Sequence, residues 1–161
     1  MDSTFTYLKI LLQSLEKKKT DLICLVELTE EQKRTLEEEP FDLQHFDEFI
    51  IKKEQFIQDL NESDEGFQSV YERIAPVIKN NKENYKEQIL AIQEQIKEIS
   101  ELSVRIQSLE LHNKGLLEHI SVKHNQKLKY LSSTSRVMKN YTSHMANQHQ
   151  NEQSYFLDKK K

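Results

Sequence analysis

The side chains best suited to chemistry are six histidines and a single cysteine. A helical metal pair needs ligands three or four residues apart, so that both leave the same face. His112 and His119 stand seven apart, and His119–His124 and His144–His149 stand five apart. That spacing predicts no metal site. Cys24 lies in the apolar run Leu22, Ile23, Leu25 and Val26, has no second cysteine to pair with, and reads as a small buried side chain. The carboxylates either cluster, as in Glu37-Glu38-Glu39, or recur on polar faces such as Glu94, Glu98 and Glu101. Acid–base catalysis needs them to converge in a cleft that perturbs their pKa values. No catalytic residue, no cofactor and no enzymatic activity are expected.

The elements that must carry these residues are helices. With two glycines and two prolines in 161 residues, the chain cannot punctuate a sandwich, a barrel or a dinucleotide-binding sheet. Charged residues make up 31% and the apolar set 36%, a balance typical of long amphipathic helices. The first periodic segment runs from about Thr4 to Glu38, with Leu8, Leu12, Leu15, Leu22 and Val26 on one face. Pro40 stops it, because the residue before a proline disfavours helical geometry. Asp42 can cap a second helix over about 42–61, striped by Leu43, Phe46, Ile50, Ile57 and Leu60. Asn61 to Gly66 reads as a polar turn, followed by a short third helix that Pro76 kinks or restarts. The last helix spans about 83–132, with Tyr85, Ile92, Ile99, Ile106, Asn113 and Ile120 seven apart. Its second seam passes from Ile89 and Ile96 to Leu102, Leu109 and Leu116, the drift of a 3.6-residue helix against a seven-residue repeat. The expected fold is all-α: an elongated antiparallel helical bundle or coiled coil of three to four helices with a long C-terminal helix.

Residues 1–132 form the expected helical domain, and 133–161 a flexible tail ending in the hydrophobic-basic patch Tyr155-Phe156-Leu157-Asp158-Lys159-Lys160-Lys161. Charge divides along the chain. Up to Leu111 there are 14 basic against 24 acidic side chains; from His112 onward, nine basic against three acidic. The basic stretch Lys114 to Lys139, with Tyr130 and Tyr141 interleaved, would suit a single-stranded nucleic acid, but the acidic remainder argues against nucleic-acid binding. An acid precedes the first apolar stretch and no basic n-region is present, so no signal peptide is expected. No apolar run approaches the ~20 residues that cross a bilayer. A cytoplasmic protein without stable membrane insertion is expected. The stripe of the last helix outruns the expected early helices, which would leave apolar surface open to an amphipathic partner helix.

Two stretches carry a family resemblance. The run Asp42-Leu43-x-x-Phe46-x-x-x-Ile50-x-x-Lys53-Glu54-x-x-Ile57-x-x-Leu60 resembles the second-helix signature of FlgN-type flagellar export chaperones. Leu109-x-x-x-Asn113-Lys114-Gly115-Leu116-Leu117 is similar to that family's Asn-containing N-x-x-N-G-L-L stretch, with Glu110 near the first Asn position and Lys114 between Asn113 and Gly115. The resemblance implies a cytosolic chaperone that holds the hook–filament junction proteins (FlgK, FlgL), prevents their premature assembly and delivers them to the export gate protein FlhA. It implies client binding at Leu102, Ile106, Leu109, Asn113, Leu117 and Ile120, and gate contact at Tyr141, Tyr155 or Phe156. Asn113 would satisfy a polar group of the client while setting its register. A FliT-like chaperone of the filament cap protein is the neighbouring alternative. A structural coiled coil that closes a homodimer through the stripe is the alternative from a different class. A chaperone would be monomeric or at most a weak homodimer.

Overall fold

The computed structural model describes residues 3–124, and these are helical almost throughout. Three long helices follow one another: α1 over Ser3–Glu37, α2 over Leu43–Asn80 and α3 over Lys86–His124. A short 3-10 helix over Lys82–Tyr85 leads into α3. The end of α1 falls just before Pro40, and α2 begins where the sequence offers a cap. The Asp42 side chain accepts from the backbone N–H of His45 at 3.2 Å, satisfying one of the free donors of the first turn.

The central correction concerns α2. It does not stop at Asn61; it continues through Gly66 and Pro76 to Asn80. The polar run read as a turn is helical because Asp64 within it and Phe67 just after it face inward. Asp64 is buried and paired with Lys18 of α1 at 3.0 Å, and Phe67 one turn on is 2% exposed. Those contacts outweigh the ~1 kcal/mol that a glycine costs in a helix interior. Three helices of 35, 38 and 39 residues therefore run nearly the same length, and the separate short third helix does not exist.

Cross-helix contacts set the directions. Ser14 meets Ser63, Lys18 meets Asp64 and Gln32 meets Lys53, so α2 runs antiparallel to α1. The Phe5 ring packs edge-on to Tyr85, Lys19 pairs with Glu98 and Asn113 reaches Thr29, so α3 runs parallel to α1. Helix α1 packs along both α2 and α3. One continuous core results, drawing Leu8, Leu22 and Leu25 from α1, Phe46, Ile57 and Leu60 from α2, and Ile92, Ile99 and Leu117 from α3. Each such side chain contributes about 1.5–3 kcal/mol by leaving water. No helix among the described residues is long and apolar enough to cross a membrane. The boundary at 132/133 and the whole expected tail lie outside the described residues.

Candidate functional site

Polar residues interrupt the apolar stripes at two levels, and the levels match across helices. On α1, Lys18 falls between Leu15 and Leu22 at core spacing; on α2, Asp64 falls between Leu60 and Phe67. These two meet as a buried ion pair, their side chains 3% and 5% exposed. The second level is larger. Lys53 lies between Ile50 and Ile57 on α2, Glu110 and Asn113 lie between Ile106 and Leu117 on α3, and Thr29 and Gln32 follow Val26 on α1.

These five side chains form one buried cluster. The Lys53 ammonium donates to Gln32 Oε1 at 2.9 Å and forms an ion pair with Glu110. The Thr29 hydroxyl donates to the Leu25 carbonyl at 2.6 Å and approaches Glu110 Oε1 at 3.5 Å. The Asn113 amide donates to the Thr29 carbonyl at 3.0 Å. Burial pushes the Lys53 pKa down from its ordinary 10.5 to about 7. Two buried atoms in the cluster make no hydrogen bond, Gln32 Nε2 and Asn113 Oδ1. A near-neutral lysine suits nucleophilic or base chemistry when a substrate can reach it. Lys53 and Glu110 are each 1% exposed and hold one another, so the cluster fixes helix register rather than offering a reactive centre. A smaller perturbation sits on α1, where partial burial raises the Asp21 pKa, with Lys17 opposing the shift and Asp59 adding to it.

The residues expected to bind a client fall into two groups. Ile106, Asn113, Leu117 and Ile120 face the core, at 1%, 1%, 0% and 9% exposure. They do not form an open stripe in this structure, because α1 and the first half of α2 cover this end of α3, where Lys53 pairs with Glu110 and Asn113 reaches Thr29. Asn113 in particular spends its amide on α1 rather than presenting it outward. Leu102 and Leu109 are half-buried. Together with Ile23 of α1 and Val104 they line an open groove of about 810 Å³, edged by Lys19, Glu98, Glu101 and Arg105. Two further expectations change. Glu98 is not simply a solvated face residue, since it pairs with Lys19, and Cys24 is only half-buried. Tyr141, Tyr155 and Phe156 lie outside the described residues. Among the described residues, no group of three or more His, Cys, Asp or Glu side chains converges as a metal site.

Sequence reasoning gave Lys18, Lys53, Asp64 and Glu110 no buried role. The signal was present: each occupies a three-or-four-residue step within an apolar stripe, the position of a core side chain. A charged residue there is either a break in the helix or a buried partner, and only the facing helix decides which.

Comparison of the chain with protein-family models, curated proteins and solved structures finds no match.

Proposed function

We propose that this chain is a helical-bundle export chaperone of the FlgN type, which shields an amphipathic terminal helix of a hook–filament junction protein (FlgK or FlgL) in the cytoplasm and delivers it to the export gate protein FlhA. The observation that carries the reading is the groove between α1 and α3, where Ile23, Leu102, Val104 and Leu109 leave apolar surface open between charged edges. An amphipathic helix docks by laying spaced apolar anchors into such a groove while its polar face stays wet. The edges carry both signs, Lys19 and Arg105 beside Glu98 and Glu101, which suits the mixed charge flanking an amphipathic stripe. A second support is spatial. The two stretches that carry the family resemblance meet where Lys53 joins Glu110, 57 residues on in sequence.

The site implied for the client is narrower than the resemblance suggested. Leu102 and Leu109 are reachable as they stand, whereas Ile106, Asn113, Leu117 and Ile120 become reachable only if α1 or α2 moves aside. A homodimer zipper through Ile92, Ile99 and Ile106 would compete with α1 and α2 for those same side chains.

Titration with peptides from the terminal helices of the junction proteins, and of the filament cap protein for the FliT-like alternative, tests the reading. Junction-protein helices should bind at 1:1, and L102D and L109D should each weaken binding at least tenfold while circular dichroism stays unchanged. Binding by neither peptide set, or binding indifferent to both substitutions, would sink it; preference for the cap peptide would assign the alternative.

A further inference from the structure

The outward face of α3, turned away from the other helices, carries its own seven-residue line: Lys97, Val104, Leu111 and Glu118. Val104 is 66% and Leu111 61% exposed, large apolar side chains left in water at the middle of the longest helix. The charges beside them, Lys97, Glu101, Lys114 and Glu118, form no ion pair among the described residues.

We propose that this face is a self-association surface on which a second copy of the chain docks antiparallel, α3 against α3. Charge complementarity identifies the occupant and its direction. Two copies side by side in parallel register would oppose Lys97 to Lys97 and Glu118 to Glu118, each a repulsion. Reversing one copy so that Val104 lies on Leu111 of the second copy removes both. In that register Lys97 faces Glu118, and the two-fold axis repeats the pair. The axis falls beside Ser108, an exposed small residue that lets the helices approach. One register thus covers both apolar residues and pairs Lys97 with Glu118 twice. The surface is distinct from the buried stripe and adjoins the groove assigned to the client, sharing Glu101, Val104 and Ser108 with its lining, while Leu111 lies off it.

The interface is small, so the dimer is weak and depends on salt, because exposed ion pairs are screened. Sedimentation velocity on the full chain, from about 1 µM to about 1 mM, reads it directly. The species should pass from the 19.2 kDa chain mass towards twice that value. L111D should hold the chain at monomer mass with unchanged helicity. K97E or E118K alone, each turning two symmetric attractions into repulsions, should weaken association roughly tenfold, and the double reversal K97E/E118K should restore it. In a C24S background, S108C should cross-link copies under mild oxidation. A chain that stays monomeric to about 1 mM, a dimer indifferent to L111D, or a double reversal no stronger than the single ones overturns the proposal. So does a monomer in which L111D costs client binding, which would assign the face to a partner of another kind.

Discussion

Lys53 shows how much a single side chain is asked to do inside this fold. Its ammonium is removed from water, held by Glu110 and Gln32, and less willing to keep its proton than in an unfolded chain. Because the folded state binds that proton more weakly, the contribution of Lys53 to stability rises with pH above about 7 and levels off near 10.5. Denaturant unfolding of the wild type and K53M at pH 7 and at higher pH should show the rise in the former and its loss in the latter. K53M at pH 7 should itself cost about 3–5 kcal/mol, since it strands the Glu110 carboxylate in the core. K53M/E110M should recover most of that loss, because an apolar pair of similar volume needs no solvation. A double variant as unstable as the single one would show that the cluster contributes more than its charge balance.

At the scale of elements, α2 is where local and tertiary preferences disagree. Asn61 to Gly66 carries turn-forming residues, yet the helix runs through because Asp64 and Phe67 are anchored on neighbouring helices. Gly66 is then a residual weakness: it is exposed, and a β-carbon added there would meet nothing within 4 Å. G66A should stabilise the protein by about 0.5–1 kcal/mol, read as a rise in unfolding midpoint, and a loss of stability would contradict a continuous α2. The reverse change at the helix start, D42A, removes the cap on His45 and should cost about 1 kcal/mol. The helix types and their approximate starts were legible from spacing and caps. The length of α2 was not, because the contacts that extend it come from a helix 46 residues away.

Across the whole molecule, the core joins all three helices without a gap from Leu8 to Ile120. Removing a large side chain anywhere along it should therefore lower one shared transition rather than release one helix. L22A on α1 and I99A on α3, both fully buried, should each cost about 2–5 kcal/mol. Circular dichroism and a fluorescent probe placed on α2 should report the same midpoint in each variant. Separate midpoints would show that α2 unfolds on its own.

Composition and periodicity alone determined that the chain is helical, that its helices are long and amphipathic, and where the first break falls, because glycine, proline and residue spacing act within a few residues of one another. They also located the apolar stripe of α3. Whether that stripe is covered was decided only by tertiary structure. It depends on how α1 and the first half of α2 dock on that end of α3, where Lys53 meets Glu110 and Asn113 meets Thr29. The same holds for Asn113. Its spacing placed it on the stripe, but the burial of that stripe by two other helices turned it from an outward contact into an internal one, bonded to the Thr29 carbonyl. What remains open on α3 is the flank where Leu102, Val104 and Leu109 line the groove and, beyond it, Leu111.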